Sequence, residues 1–469
     1  MAFSDAITLP GRAASPPSTG RSLARLNGSV GTPPAGAGML SQYRAFAGPA
    51  LLVGVGYMDP GNWGTDLAGG AQFRFGLMWV VALASLMAVV LQVLSARLGV
   101  VTGKDLAQLC RQHYPRWTCL PNWLLSEIAI AACDLAEVLG GAVALNLLFH
   151  IPILWAVMIT GADVLLLLGL QRFGMRLIEA VVLVLVATIG LCFAIELFVL
   201  PATAPNLKEI GSAVLRPGLG QAGMATVAIG IIGATVMPHN LYLHSALVQS
   251  RELRDDESSV RAAVHWNTID AVIALGLAFF VNAAILVLAA TTFNGRAGAV
   301  AGGVAFAFNS DTDWIRVAYL TLAPLLGTTA ASLLFALALL ASGQSSTLTG
   351  TLAGQVVMEG FLDLRMAPWL RRLVTRLAAV VPAMLAIGLW GNVGVNALLV
   401  LSQVVLALQL PFAMFPLLHL TSRRSVMGPW RNGWFLLAAG WTSAVVITAM
   451  DICGLPGAMA QAANLLLGR

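Results

Sequence analysis

The stretch Gly56-Tyr57-Met58-Asp59-Pro60-Gly61-Asn62-Trp63 places an acid, a proline and a glycine inside an otherwise apolar segment, residues 45–70. Proline removes a backbone donor and frees an upstream carbonyl, and glycine permits chain directions that other residues resist. In a bilayer, such freed groups are tolerated only where they face protein or line a wet cavity. The stretch therefore predicts a helix that is broken at mid-membrane depth.

A second interruption, Ala234-Thr235-Val236-Met237-Pro238-His239-Asn240, lies in the apolar segment 222–250. Both interruptions contain the pattern x-Pro-x-Asn. If helices one to five and six to ten form an inverted repeat, the two breaks meet at the midplane, where secondary transporters place their substrate.

The composition assigns the chain to a bilayer. Its 469 residues are 58% hydrophobic and only 10% charged, far from the balance of a soluble domain. The formal net charge of +5 comes from scattered arginines, so nucleic acid is not an expected partner. The five cysteines form no C-x-x-C pair, which argues against a disulfide framework and against a thiolate metal site.

A bilayer-crossing helix needs about 20 mostly apolar residues. Eleven such spans are predicted, at 45–70, 77–97, 122–149, 152–171, 178–200, 222–250, 263–291, 323–357, 373–390, 393–420 and 432–453. The expected fold is an all-α integral membrane protein. Its expected parts are a disordered cytoplasmic tail (1–43), a five-helix repeat (44–203), an external loop (204–221), a second repeat (222–420), and an eleventh helix with an external C-terminus (421–469).

The basic residues predict the orientation. With the N-terminus inside, 20 of the 26 basic residues flank the cytoplasmic ends of the spans. The C-terminus then lies outside, and the expected location is the cell (inner) membrane. Because the loops are short, no separate catalytic domain is expected, and the chain is not predicted to be an enzyme.

The two breaks together supply donors for a cation. These are the Asp59 carboxylate, the Asn62 amide, the Met237 thioether, and the freed carbonyls of Gly56 and Ala234. Hard oxygens suit any divalent ion, whereas the soft sulfur favours transition metals over Ca²⁺ and Mg²⁺. A methionine in a membrane helix is usually core packing and a proline usually a kink. An intramembrane Asp is different, because inserting its charge costs about 2.5–3.5 kcal/mol.

The motifs Asp59-Pro60-Gly61-Asn62 and Met237-Pro238-His239-Asn240, together with Asp134-Leu-Ala-Glu137 and Ser402-Gln403, carry a resemblance. The chain resembles the natural resistance-associated macrophage protein (Nramp) family of proton-coupled metal transporters from about residue 40 onward. The resemblance implies a LeuT-like fold and import of Mn²⁺ or Fe²⁺, and also Cd²⁺ or Co²⁺, by proton symport with alternating access. It implies metal binding by the residues named above. Gly56 departs from the alanine that the family pattern leads us to expect.

Three acids lie on one face of helix three, because Glu127, Asp134 and Glu137 follow at spacings of seven and three. One interpretation is a proton relay from Asp59, with His239 beside it, as the resemblance also implies. The other is that Arg371, Arg372 and Arg376 of helix nine neutralise these acids as structural ion pairs. Both interpretations can hold at once, since an arginine tunes an acid without removing it from the path.

Polar residues in apolar surroundings are candidates for gating. Thr235, Asn282 and Gln403 match the outer-gate positions that the resemblance implies. For Asn282, a hydrogen bond between helices explains its presence equally well. The hydroxyl-rich run Ser342–Gly350 in helix eight suits either close helix packing or a water-lined path.

A cation-coupled amino-acid transporter of the same fold is the main alternative. There, backbone amides at the first break hold a substrate carboxylate, and an acid such as Asp59 would repel it. Neither an H-E-x-x-H motif nor a phosphate loop occurs in the sequence. The expected partners are therefore divalent metal ions, protons and lipid, with no cofactor and no obligatory protein partner.

Overall fold

A computed structural model of the chain describes residues 27–34, 36–170, 175–199, 206–254, 256–296, 298–301, 304–307, 312, 314–326, 329–364, 366–390 and 393–466. Its helices are α1 (Met39–Phe46), α2 (Pro49–Gly56), α3 (Pro60–Phe73), α4 (Met78–Thr102), α5 (Leu106–His113), α6 (Cys119–Phe149), α7 (Ile153–Leu170), α8 (Met175–Ala194), α9 (Leu207–Val214), α10 (Met224–Thr235), α11 (Pro238–Leu247), α12 (Glu257–Thr292), α13 (Trp314–Leu326), α14 (Thr329–Leu362), α15 (Pro368–Trp390), α16 (Val393–Ser422), α17 (Arg424–Met427) and α18 (Trp434–Leu466). The strands are β1 (Val30–Gly31), β2 (Arg251–Glu252), β3 (Gly298–Ala301) and β4 (Val304–Ala307). The described chain is therefore almost entirely helical, as predicted.

Both predicted helix breaks are confirmed. The first predicted span is divided into α2 and α3, and the sixth into α10 and α11. Pro60 and Pro238 occupy the first position of the second helix in each pair. A proline is tolerated there because the first N–H groups of a helix have no intrahelical acceptor in any case.

Eight described helices are long and apolar enough to cross a membrane. They account for predicted spans two, three, five, six, seven, eight, ten and eleven. The first span consists of two short helices, and the fourth corresponds to α7. The ninth corresponds to α15, whose first half carries three arginines. The count of eleven spans stays a prediction.

Several boundaries differ from the prediction. The eighth span was expected to begin at 323, but that position lies in α13, and the spanning helix α14 begins at Thr329. The predicted external loop 204–221 contains the short helix α9, whose first N–H groups are capped by Asn206. A hairpin of β3 and β4, which no apolar pattern predicted, follows α12.

The segment expected to be a disordered tail, 1–43, is described in part. Residues 1–26 lie outside the described part of the chain. Beyond them, β1 pairs in parallel with β2, and Val30 is buried. Helix α1 then leads directly to α2. This segment is held because Gly28 donates to the Gln249 carbonyl (3.0 Å) and Gln42 accepts from Trp266 (2.7 Å).

The helices pack so that the two breaks are enclosed. Helix α12 lies against α2, α3 and α4, while α14 lies against α6 and α8, and α16 contacts α6 and α10. Gly140 of α6 permits a close approach to the first break, since a Cβ at that position would overlap the ring of Pro60. Exposed leucine, valine and phenylalanine side chains cover α8, α15 and α18, as expected of surfaces that face lipid.

Candidate transition-metal site

Asp59 holds the first break in place with one of its two oxygens. Its Oδ1 atom accepts from the Asn62 backbone N–H (2.9 Å) and from the Asn62 side-chain amide (2.8 Å). This arrangement caps the start of α3. The Oδ2 atom is buried and has no hydrogen-bond partner within the described residues. Since buried polar atoms are nearly always satisfied, Oδ2 is the oxygen that a cation would take.

Asn62 joins the two breaks. Its amide nitrogen also donates to the Ala234 carbonyl, at 3.2 Å. The Gly56 carbonyl accepts from the Asp59 N–H at 3.3 Å. Both carbonyls that the sequence assigned to the site are therefore beside it, each in one long hydrogen bond. A carbonyl oxygen has a second lone pair, so each retains the capacity to bind an ion.

Met237 brings the soft donor to the same place. It is fully buried and lies in a small cluster with Cys133 and Leu406. Its sulfur lies 3.4 Å from the point that a Cβ on Gly56 would occupy, and the Asn240 amide nitrogen lies 2.5 Å from that point. Glycine at position 56 thus allows α2 and α11 to approach closely, which explains this departure from the family pattern.

The three gating candidates surround the breaks. Asn282 of α12 donates to the Tyr57 carbonyl (2.9 Å) and to the Asn62 side-chain oxygen (3.3 Å). The Gln403 amide of α16 lies directly against Gly61, where a Cβ would overlap it. The Thr235 hydroxyl is buried and has no hydrogen-bond partner in the described part of the chain. The Asn282 contacts join α12 to the first break, which agrees both with a gating role and with a hydrogen bond between helices, so its gating role stays a prediction.

The three acids of the third predicted span lie on α6, and each forms an ion pair with an arginine of α15. The closest nitrogen to oxygen distances are 2.8 Å for Arg371 and Glu127, 3.2 Å for Arg372 and Asp134, and 3.2 Å for Arg376 and Glu137. All six side chains are largely buried. The structural ion pairs that the sequence left open are therefore present, and they form a continuous line along α6.

The hydroxyl-rich run of α14 contacts the same line. Ser346 and Thr347 donate to the two oxygens of Glu137, at 2.8 and 3.1 Å. Ser342 donates to the Met58 carbonyl at the first break, at 2.5 Å. The run thus connects the break with the acid and arginine line. His239 of α11 is fully buried, and neither of its ring nitrogens has a hydrogen-bond partner among the residues described.

Comparison with known proteins fits this geometry. The family model described as natural resistance-associated macrophage protein-like matches residues 50–455. The chain belongs to this family. A relative from Nostoc sp., described as a divalent metal cation transporter MntH, is 49% identical over 438 residues, covering 93% of this chain and 96% of that protein. The resemblance inferred from the four motifs is thereby confirmed.

Solved structures agree on the fold of this Nramp protein. The manganese transporter of Eremococcus coleocola aligns with a TM-score of 0.83 at 38% identity, covering 96% of this chain and 94% of that one. MhsT in complex with L-phenylalanine aligns with a TM-score of 0.57 at 16% identity, covering 87% and 98%. The second likeness shows the fold alone. This Nramp protein thus has the LeuT-like architecture with broken helices one and six, and its relatives are transporters rather than enzymes.

Sequence reasoning missed a hydrogen-bond chain next to the site. The Gln92 amide of α4 donates to the Tyr57 hydroxyl (2.6 Å), and its oxygen contacts the His244 Nδ1 atom of α11 (2.9 Å). All three side chains are buried. The chain connects the second half of the sixth span of this Nramp protein to the end of α2. The available signal was a pair of polar residues inside apolar segments, Gln92 in predicted span two and His244 in predicted span six.

Sequence reasoning also missed a network at the other end of α2. Arg251 pairs with Glu179 at 2.8 Å and donates to the carbonyls of Ala45 and Ala47. Asp270 accepts from the Gly48 and Ala50 N–H groups, at 3.1 and 2.9 Å. Glu179 and Asp270 lie within predicted spans. A charged side chain at either position has the same cost of membrane insertion as Asp59, so both residues could have been identified from the sequence.

Asp66 of α3 is a third missed acid. It is fully buried, and neither of its oxygens has a hydrogen-bond partner in the described chain. It lies seven residues after Asp59, which is the N-cap of the same helix, and so about two turns along α3. In the part of the chain that the structure describes, no three His, Cys, Asp or Glu side chains are grouped as metal ligands. The candidate site depends instead on one carboxylate with an amide, a thioether and carbonyls.

Proposed function

We propose that this Nramp protein imports divalent transition metal ions, Mn²⁺ or Fe²⁺, together with protons. One observation carries the proposal. A fully buried carboxylate oxygen on Asp59, without a hydrogen-bond partner among the described residues, lies where two broken helices bring an amide, a thioether and two carbonyls together. The names of the relatives support it, since the Nostoc protein is described as a divalent metal cation transporter and the Eremococcus protein as a manganese transporter.

The donor set favours a transition metal. Asp59 supplies the charge, and Asn62 with the carbonyls of Gly56 and Ala234 supplies neutral oxygens. Met237 supplies a soft sulfur that Ca²⁺ and Mg²⁺ use poorly. Cd²⁺ and Co²⁺ are accepted by the same donors, because both bind sulfur readily.

The proton route uses the line of acids on α6. Asp59 is the first acceptor, with His239 beside it, and Asp134, Glu137 and Glu127 follow. Arg372 and Arg376 tune these acids through the ion pairs. The support is that Ser342 donates to the Met58 carbonyl at the first break, while Ser346 and Thr347 of the same helix donate to Glu137.

Transport proceeds by alternating access with the N-terminus in the cytoplasm and the C-terminus outside. Thr235, Asn282 and Gln403 form the outer gate. The two five-helix repeats, 44–203 and 222–420, move relative to each other around the breaks, with eleven spans in all. The 20 to 6 distribution of basic residues supports this orientation.

The amino-acid carrier of the same fold is the weaker candidate. MhsT, which binds L-phenylalanine, shares only 16% identity with this chain. A substrate carboxylate placed at the first break would meet the free oxygen of Asp59, and two like charges in a buried site repel each other strongly.

The test is uptake into proteoliposomes that contain the full chain. Mn²⁺, Fe²⁺, Co²⁺, Cd²⁺, Ca²⁺ and Mg²⁺ are offered with and without an inward proton gradient, and an amino-acid mixture serves as the comparison. We expect uptake of the four transition metals, stimulated by the gradient, and little uptake of Ca²⁺, Mg²⁺ or amino acids. Amino-acid uptake without metal uptake would reverse the choice between the two candidates.

A further inference from the structure

A groove of about 710 Å³ lies between α1 and the first turns of α12. The Trp266 indole N–H of α12 donates to the Gln42 side-chain oxygen of α1 at 2.7 Å, and the Trp266 ring contacts that of Tyr43. Arg261 and Glu257 line the α12 side of the groove. Because the hydrogen bond and the ring contact fix α1 against α12, the groove has a defined shape.

The exposed face of α12 places this groove at the depth of lipid headgroups. Val272 and Phe280 are exposed and apolar, whereas His265 and Arg261, which precede Val272 by two and three turns on the same face, are exposed and polar. A spanning helix whose exposed face changes in this way leaves the hydrocarbon region at that level. The 36 residues of α12 also extend about 54 Å, well beyond the roughly 30 Å of a hydrocarbon core.

The α1 side of the groove offers apolar surface at the same depth. Met39 and Leu40, in the first turn of α1, are 77% and 69% exposed, and Met39 lines the groove. Apolar side chains at this level are covered by the first methylene groups of neighbouring acyl chains. Trp266 is a residue type that is typical of the membrane interface. The groove therefore combines a polar wall with an apolar wall, as a phospholipid does.

The polar wall carries one charge of each sign. Arg261 and Glu257 form an ion pair at 2.7 Å, and their side chains remain 73% and 58% exposed. Such an exposed pair stabilises a helix only slightly, so both charged groups can bind a second pair of opposite charges. A headgroup that joins a phosphate to an ammonium presents these two charges a few ångströms apart. The guanidinium fork matches the phosphate, and the carboxylate accepts from the ammonium.

We infer that this groove binds a phospholipid whose headgroup joins a phosphate to a primary ammonium, as in phosphatidylethanolamine. Arg261 binds the phosphate, Glu257 accepts from the ammonium, and Met39 and Leu40 contact the acyl chains. A quaternary ammonium has no N–H to donate to Glu257. A headgroup without an ammonium leaves the Glu257 charge beside the lipid phosphate, which repels it. The lipid site is distinct from the candidate metal site and does not depend on what the protein transports.

The experiment is native mass spectrometry of the full chain in detergent. Phosphatidylethanolamine, phosphatidylcholine and phosphatidylglycerol with identical acyl chains are titrated separately. We expect wild type to retain the ethanolamine lipid with about tenfold higher affinity than the other two, since one charge-assisted hydrogen bond distinguishes them. Glu257→Gln should abolish this preference and keep binding through the phosphate, whereas Arg261→Gln should weaken the binding of all three lipids.

An arginine at another exposed ion pair provides the matched control. Arg74 pairs with Glu209 at 2.9 Å, and Arg74→Gln should keep the wild-type preference. Equal retention of the three lipids by wild type, or an unchanged preference in Glu257→Gln, would overturn the inference. Equal weakening by Arg74→Gln and Arg261→Gln would overturn it as well, because lipid phosphate would then be attracted to surface arginines in general.

Thermal unfolding in detergent gives a second measurement. A ligand that binds the folded state raises the melting temperature, so the ethanolamine lipid should raise that of wild type and not that of Arg261→Gln. Without lipid, the two proteins should unfold within about 2 °C of each other, since an exposed ion pair contributes little. An equal rise in both proteins would contradict the proposed site.

Discussion

The two oxygens of Asp59 have different roles. Oδ1 is fixed by the backbone and side chain of Asn62, whereas Oδ2 has no partner in the described chain. One oxygen therefore sets the geometry of the break while the other stays available. This arrangement keeps the carboxylate oriented before an ion arrives, which lowers the ordering cost of binding.

Met237 should decide between soft and hard ions. With Met237→Ala, Asp59 and Asn62 should still bind Mn²⁺ and allow its transport, although with lower affinity. The uptake of Cd²⁺ should fall more than that of Mn²⁺. Calcium begins to compete, because the space left by the thioether lets a hard ion keep a hydration water. The measurement is uptake of Mn²⁺, Cd²⁺ and Ca²⁺ at matched expression. Unchanged ratios among the three ions would make Met237 a packing residue.

Gly61 should tolerate no side chain. With Gly61→Ala, the added methyl group overlaps the Gln403 amide, so the Gln403 side chain must leave its position against the break, or the break must shift. Overpacking of this kind costs about 1–3 kcal/mol, and we expect uptake to fall severalfold. Gly276→Ala is the control, since nothing lies within 4 Å of its added Cβ. Equal uptake by both variants would place Gln403 away from Gly61 during transport.

At the scale of helices, α6, α14 and α15 form one polar layer inside the membrane. Asp134 and Glu137 are paired with arginines and also contact the hydroxyl groups of α14. The ion pairs that the sequence left open are therefore present, with the remaining lone pairs of Glu137 satisfied by the hydroxyl groups. The proton relay stays a prediction.

Neutralising these acids should separate proton movement from metal binding. Glu137→Gln and Asp134→Asn should bind Mn²⁺ with near-normal affinity but lose metal-linked proton influx. Each change leaves a buried arginine unpaired, which costs about 3–5 kcal/mol, so reduced stability is also expected. The double variant Asp134→Asn with Arg372→Gln removes both charges. If it recovers stability and also proton coupling, the acid is structural only.

The sequence predicted the breaks because Pro, Gly and Asp in an apolar helix each have a specific physical cost. It offered the arginine and acid pairs between α6 and α15 as one interpretation, but it did not predict the other polar contacts across the fold. Arg251 and Glu179 lie 72 residues apart, and their pairing depends on how α8 packs against the segment before α2. The hairpin of β3 and β4 and the pairing of β1 with β2 depend on the same tertiary contacts. Asp66, Glu179 and Asp270 could have been identified from the sequence, because the cost of burying an acid in the membrane applies to them as it does to Asp59.

At the scale of the whole molecule, the candidate site is enclosed by protein. Asp59, Asn62 and Met237 are fully buried. Gln403 and Asn282 contact the first break, and the hydrogen-bonded chain of Gln92, Tyr57 and His244 adjoins it at Tyr57. The proposed alternating access would require some of these contacts to separate, which hydrogen bonds of ordinary strength permit.

The proposed orientation places the two ends of the described chain on opposite sides. In a Cys453→Ser background, Asn27→Cys should react with a membrane-impermeant thiol reagent only from the cytoplasmic side. Ala463→Cys should react only from outside, because an odd number of spans separates the two positions. Both positions are exposed. Labelling of both from one side would mean that the number of spans is even.

The most direct test of coupled transport is simultaneous measurement of Mn²⁺ and proton influx in proteoliposomes with wild type and Asp59→Asn. The amide keeps the shape of the carboxylate but lacks its charge, and losing at least about 3 kcal/mol of charge-assisted binding corresponds to roughly a 100-fold loss. We predict that Mn²⁺ uptake and Mn²⁺-linked proton influx collapse together in Asp59→Asn, while the variant remains folded. Near-normal Mn²⁺ uptake by Asp59→Asn would contradict the account, because the cation site would then lie elsewhere.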